Sequence, residues 1–355
     1  MGIKRLLGKA AEIYSDAFDP LFFQRRYAHN TLNKKRSTIE FDKIDPETNR
    51  KIRNLWGKTN GWFDFYYTVG DKSKGHLYFP DNWFFDCIDS VLNDWRSCKA
   101  IDDKCLYDFL FADVNRPKTI ARCCGGHWLD EQYRIIDARK VETVCAEAGK
   151  VIVKPSVSSS GGRGIEFWQT GQNDLPKKLM QYNNCVVQEI VEQHEDLAKI
   201  HAESINTIRI MTMLLDGDIH ILSSILRMGI GDSKVDNVSS GGLACGIDER
   251  GKLKKMAFGA DGRSVDKHPQ GPVFEGISVP RFNKCKEVCK SIAPRFARFS
   301  RLVSWDFAID KAGNPILIES NLFGGELDFH QMCNGPIFGD EATTKEMINR
   351  FYNKH

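Results

Sequence analysis

Residues 302–321, LVSWDFAIDKAGNPILIESN, constrain the fold of this chain more than any other stretch. Two apolar runs flank a short polar connection, which is the pattern of an antiparallel hairpin too apolar to stand as an exposed edge. Each run nevertheless carries an acid, Asp306 or Glu319. With KAGN as a four-residue loop, Asp310 meets Pro315 and Asp306 falls opposite Glu319 on one face, with Asn321 two residues further along it. Carboxylates about 5 Å apart at Cβ repel unless a cation lies between them. An oxygen-only set without His or Cys suits Mg2+ held together with phosphate. A loop one residue longer or shorter would put the acids on opposite faces. The alternative is two unrelated, solvent-facing acids.

A second stretch, VIVKPSVSSSGGRGIEFW at 151–168, runs from β-branched residues into one lysine and then a Ser/Gly segment. Backbone N–H groups of such a segment can converge on an anion, and Lys154 would add a point charge to it. The stretch is not a GxxxxGK[ST] loop, because Lys154 precedes the glycines. The alternative is a mobile hairpin turn with an exposed lysine. Arg209 and Arg227 interrupt otherwise apolar strands, so each needs an anionic partner, either a structural carboxylate or a transferred phosphate.

Around these pieces the pattern is mixed. The first hundred residues read as mainly helical, with aromatic-rich turns such as NGWFDFYYTVG and a helix from about Asp81, DNWFFDCIDSVLNDWRS. From about Lys118, PKTIARCC predicts a strand, DARKVETVCAEAG a helix ended by Gly149, and KVIVKPS a strand stopped by Pro155. RGIEFWQ, a short helix near 174–182 and the strand CVVQEIV follow. INTIRIMTMLLDGDIHILSSILRMG predicts a hairpin turned at Asp216 and Gly217. Within 229–280 only GGLACGIDERGKLKKMAFG pairs convincingly, and the helix NKCKEVCKSIAPRFARF leads into the last hairpin. Strands and helices in runs imply an α+β chain with antiparallel sheets.

Several classes are set aside. No run of about 18 apolar residues predicts a membrane span. The opening MGIKRLLGKAAEIYSDAF reads as a short amphipathic helix rather than a secretory signal, and Leu6 stands where myristoylation needs Ser or Thr. Eleven cysteines without an export signal predict reduced thiols in the cytoplasm. Cys123, Cys124 and His127 lack a CxxC partner for zinc, and Cys285 and Cys289 share a helix face suited to a core. A net charge of +3 is too small to indicate nucleic acid. Residues 21–58 hold ten Lys/Arg against four Asp/Glu, either a surface for a polyanion or a solvated helical face.

Lysine with a Gly/Ser loop, strand arginines and a closing Asp…Glu-x-Asn hairpin, in this order, resemble the ATP-grasp superfamily. QEIVEQHEDLAKIHAESINTIRIMT and DNVSSGGLACGIDERGKL are similar to its sugar-transfer associated branch, over about residues 98–335. The resemblance implies two α+β subdomains clamping ATP behind a mainly helical N-terminal region. The divisions are 1–97, 98–191 with the Gly/Ser loop, and 192–355 with the metal-binding hairpin.

Carried onto this sequence, the resemblance implies that Lys104 and Lys154 contact the nucleotide from strands or strand ends. Ser158, Ser159, Ser160, Gly161, Gly162 and Gly164 fold over its phosphates. Gln188, Glu189, Ile190 and Val191 form the hinge against adenine, with Glu195, or else Asp196, at the ribose. Asp306, Glu319 and Asn321 hold Mg2+, and Arg209 and Arg227 steady the transferred phosphate. His268 and Pro269 match a feature of that branch, with His268 either touching substrate or an ordinary loop histidine.

The implied activity is ATP-driven joining of a small-molecule carboxylate to an amine, such as an amino sugar or glycan, in bacterial surface polysaccharide metabolism. Glycan-assembly enzymes are possible partners, with no nucleic acid among them. The rivals are a kinase using Asp328 or His330 as base, a nucleotide-binding partner without turnover, and a polyanion-binding protein.

Overall fold

The computed structural model describes residues 21–157, 162–170, 181 and 183–352. Its strands form two sheets in which every pairing is antiparallel. The α+β expectation is met.

The smaller sheet has five strands: β1 (Thr119–Cys124), β2 (His127–Leu129), β3 (Lys150–Pro155), β4 (Glu166–Gln169) and β5 (Cys185–Glu189), in the order β2-β1-β5-β3-β4. Val151 and Val153 alternate inward on β3 and meet Val141 and Cys145 of the helix Ala138–Ala148. Asp137 caps that helix by accepting from the Lys140 N–H at 2.8 Å, and Gly149 ends it at φ 74°. Ile190 and Val191 lie beyond β5 rather than within it. Ser158, Ser159, Ser160 and Gly161 lie outside the described residues, as does the predicted helix 174–182 but for residue 181.

The larger sheet has seven strands: β6 (Thr207–Leu215), β7 (Asp218–Met228), β8 (Leu243–Ile247), β9 (Leu253–Phe258), β10 (Ser264–Val265), β11 (Leu302–Ile309) and β12 (Pro315–Asn321). Their order is β10-β9-β8-β7-β6-β11-β12. Asp216 at φ 52° and Gly217 at φ 89° make the predicted β6–β7 turn. The period-2 alternation of β6 decides what covers each face. Ile208 and Ile210 pack with Cys285, Cys289 and Ile292 of the helix Phe282–Ile292, while Met211 and Met213 face the N-terminal helices.

Those helices are Phe22–Thr38, Pro46–Trp56, Gly61–Val69, the stretch 81–92 and Trp95–Ile101. NGWFDFYYTVG is a helix and not a turn, because Asn60 caps it by accepting from the Trp62 N–H at 2.9 Å and five of its aromatics enter the core. The helix expected from Asp81 breaks at Asn93. The Asn93 side chain donates to Leu302 O at 2.8 Å and accepts from the Arg301 and Leu302 N–H groups, stitching the break to the start of β11. Below the sheet a fully buried ion pair, Lys35 Nζ to Asp328 at 2.9 Å, ties the helix Phe22–Thr38 to the helix Leu327–Asn334.

The closing hairpin corrects its predicted loop. Asp310 accepts from the Asn314 backbone and side-chain N–H groups, so three residues turn the chain and Ile309 meets Pro315. That register alone would carry Asp306 and Glu319 apart. A β-bulge between Asp306 and Phe307 leaves Ile318 as the extra residue on β12 and restores Asp306 opposite Glu319.

Candidate active site

Where the small sheet meets the start of β6, the middle of β11 and the end of β12, two cavities adjoin. They share Lys154, Ile165, Thr207, Val235, Asp236 and Ile318. One, about 420 Å3, holds Lys104, Arg209, Arg227, Asp306 and Glu319; the other, about 270 Å3, has Ile152, Phe167, Ile190 and Val191 in its lining and is the more apolar of the two.

Asp306 is the hub of the charged cavity. The antiparallel register sets Arg209 of β6 directly across from it. Arg209 donates through Nε and Nη2 to both carboxylate oxygens at 2.8 Å, and Arg227 of β7 adds Nη1 at 3.1 Å. Burial alone would raise the Asp306 carboxyl, yet the two guanidinium groups hold it below the ordinary value. Arg209 also donates to Glu326 at 3.0 Å, and Arg227 Nε stands 3.8 Å from Asp236. Both strand arginines therefore have carboxylate partners, one of the two possibilities their sequence context allowed.

Glu319 pairs with Lys104 at 2.7 Å, and Asn321 Nδ2 lies 3.5 Å from Asp306. The positive charge expected between the two acids is thus supplied by Lys104, Arg209 and Arg227. Lys104 sits on a 3-10 turn, Lys104–Leu106, and not on a strand. Asp103 caps the turn, and the Lys104 N–H donates to Ser156 O at 2.9 Å. Burial would lower the Lys104 ammonium, but Glu319 holds it above its usual value.

Lys154 behaves differently. It borders both cavities, is buried, and has no hydrogen-bond or ion-pair partner among the described residues. Burial, reinforced by the Lys104 charge, pulls its ammonium down to about 8. A buried cation without a partner is an anion site in waiting.

The other predicted residues divide. Gly162, at φ 72°, borders the charged cavity. Gly164, at φ 75°, does not, although a Cβ there would lie 2.9 Å from Pro155 Cγ, so the turn requires its glycine. Glu189, Ile190 and Val191 line the apolar cavity, whereas Gln188 is buried in the sheet opposite Thr119 and Ile152. Glu195 is exposed on the first turn of Glu195–Ala198 and Asp196 pairs with Lys199, so neither lines this cavity. Glu192 and Glu203 do.

Three further candidates lie away from both cavities. His268 is wholly buried, with Nε2 on Gly229 O at 2.9 Å and Nδ1 accepting from the Gln270 N–H, so it pins a loop and lines neither cavity. His330 is buried against Ser223 and pushed by burial down to about 3. Asp328 is committed to Lys35, and neither of these two residues borders the cavities.

Sequence reasoning missed Asp236 and Asp102, both lining the charged cavity, although Asp236 opens a stretch already matched to the sugar-transfer branch. It also missed Phe23, Gln24 and Tyr27, which line the same cavity from a helix with no chemical motif.

Comparison with known proteins adds the following. No curated protein matches the sequence. Similar solved structures include the biotin carboxylase domain of Hydrogenobacter thermophilus 2-oxoglutarate carboxylase, at 14% identity over 73% of this chain and 47% of that one, TM-score 0.41. D-alanyl-alanine synthetase A of Vibrio cholerae aligns at 14% identity over 74% and 65% of the two chains, TM-score 0.40. The ATP-grasp ligase PsnB with its minimal precursor aligns at 13% over 73% and 62%, TM-score 0.40. The chain spans less than two thirds of each. In sequence, residues 173–345 match the sugar-transfer associated ATP-grasp family. That stretch, just under half of the chain, contains Arg209, Arg227, Asp306, Glu319 and Asn321, and in it the chain resembles the sugar-transfer associated ATP-grasp family.

Proposed function

We propose that this protein is an ATP- and Mg2+-dependent ligase that joins a carboxylate to an amine through an acyl phosphate. The observation that carries the reading is Lys154. Its buried ammonium, without a hydrogen-bond or ion-pair partner among the described residues, stands on the shared wall of an apolar cavity and a charged one. Adenosine in the apolar cavity, met by Ile190 and Val191 with Glu192 or Glu203 at its ribose, would bring its phosphates to Lys154. Asp306, Glu319 and Asn321 offer oxygen donors alone, which fits Mg2+. These three would hold it, and when bound it neutralises charge on the transferring phosphoryl group.

The chain's own residues supply the rest. Arg209 and Arg227 lie within reach of Asp306 and can share their donors with a developing phosphoryl charge. Gly162 and the Ser/Gly segment before it would exclude water from the acyl phosphate. The amine nitrogen then forms the C–N bond, phosphate leaves with the electrons of the broken C–O bond, and a proton departs. Asp102, which burial pushes up to about 6, borders the same cavity and can receive that proton.

A role connected with sugar transfer is supported by the description of the family that residues 173–345 match, and surface polysaccharide metabolism is the setting we propose for it. A cytoplasmic setting is supported by eleven cysteines that are all free. No described helix is long and apolar enough to cross a membrane.

The test is mass-spectrometric product analysis of purified protein with ATP, Mg2+ and pooled amino acids, small carboxylates and amino sugars. ADP together with a species equal to two pool members minus water is the expected result. ADP with an acceptor that has gained only a phosphoryl group would replace the ligase with a kinase.

A further inference from the structure

We propose that the helix Phe22–Thr38 builds an acceptor subsite for a hydroxylated ring amine lacking a carboxylate, a hexosamine being the simplest member. The inference rests on the ligase reading of the same cleft and names its second substrate. The helix lies outside the family match at 173–345, yet Phe23, Gln24 and Tyr27 line the 420 Å3 cavity together with Phe85, Phe323 and Glu326.

Polar contacts to distant parts of the chain anchor the helix in that position. Tyr27 Oη donates to Glu326 Oε1 at 3.0 Å, and the other oxygen of Glu326 accepts from Arg209. Arg25 pairs with Asp86 at 2.7 Å, and Lys35 with Asp328. The wall is therefore connected to the strand that carries the cleft arginine through a single carboxylate.

Its chemistry selects the ligand. Aromatic rings offer faces to the apolar C–H face of a ring. Gln24 Oε1 is enclosed and has no hydrogen-bond partner among the described residues, so it is an acceptor waiting for a hydroxyl or ammonium. No lysine or arginine contributes to this wall. The cations of the cavity are Lys104, Arg209 and Arg227, which face Glu319, Asp306 and Glu326, and Lys154 on the border with the apolar cavity. An α-amino acid would bring its carboxylate to a wall holding Glu326 without a free cation. A hexosamine brings only hydroxyls and an ammonium.

The experiment is saturation-transfer NMR and titration on the full chain with D-glucosamine and L-alanine, beside an ATP titration. D-glucosamine should bind and L-alanine should not. Phe23→Ala and Gln24→Ala, both at side chains with partial exposure, should each weaken D-glucosamine binding by about tenfold while melting as the wild type does. Failure of D-glucosamine to bind, equal binding of L-alanine, or undiminished affinity in both variants overturns the subsite. Binding of D-glucosamine without any binding of ATP would instead overturn the ligase reading and leave the subsite standing.

Discussion

Lys154 is held at an energetic disadvantage that its position explains. Burial lowers its ammonium from the model-peptide value of 10.5 to about 8, a penalty of roughly 3 kcal/mol at neutral pH. Lys104 adds repulsion, and Glu319 and Asp236 only partly offset it. Between about 8 and 10.5 the unfolded chain binds the proton that the folded chain has released, so stability rises with pH across that window. Replacing Lys154 by Met should therefore raise the unfolding free energy by about 1–3 kcal/mol at pH 7, a gain that shrinks toward pH 10.5. The same variant should bind ATP at least about tenfold more weakly, since the charge meant for phosphate is gone. Denaturant titration at two pH values, with nucleotide titration beside it, checks both. A variant that is less stable and binds ATP normally would make Lys154 an ordinary structural lysine.

At the scale of the element, the hairpin β11–β12 shows how far a sequence pattern reaches. The apolar runs and the existence of a turn between them follow from alternation, whereas the facing of Asp306 and Glu319 is reached through a four-residue loop that the hairpin does not have. The bulge at Ile318 does not follow from alternation, because a three-residue turn and a bulge together mimic a four-residue turn at the level of spacing. Arg209 and Arg227 were readable as charges needing anions. That Asp306 is their partner depends on β6 pairing with β11, a contact between residues 97 apart for Arg209 that no local pattern encodes.

This arrangement separates two substitutions that the spacing alone would treat alike. Asp306→Asn leaves two buried guanidinium groups short of their carboxylate and should cost about 3 kcal/mol of stability as well as turnover. Glu319→Gln removes a carboxylate whose side chain is 31% exposed, and should cost only about 1 kcal/mol while still abolishing turnover. Parallel melting and ADP-release assays measure the split. Turnover near the wild-type level in Glu319→Gln would remove Glu319 from the metal set.

Across the whole molecule, a boundary near residue 97 suits the change from helical to mixed pattern but not the packing. Ile52, Trp56, Phe63 and Trp83 share one core with Met211, Met213 and Phe351, and Trp62 and Phe65 share another with Ile225, Ala244 and Phe329. Helical periodicity shows which face of each N-terminal helix is apolar; it cannot show that the covering surface is a sheet formed more than a hundred residues later. The roles of Phe23, Gln24 and Tyr27 were hidden for the same reason. Lys35 is the sharpest case, a cation inside an apolar stripe whose partner Asp328 lies near the other end of the chain. Replacing Lys35 by Met leaves Asp328 uncompensated beside Asp81, whose carboxyl burial and Asp328 already push well up. The expected cost is about 3–5 kcal/mol. Because the cores are shared, the loss should appear as one displaced transition, followed alike by tryptophan fluorescence and by far-UV circular dichroism. Two separated transitions, with only the earlier one moved by the substitution, would mean that the N-terminal helices fold as a unit of their own and that the acceptor wall is a docked domain.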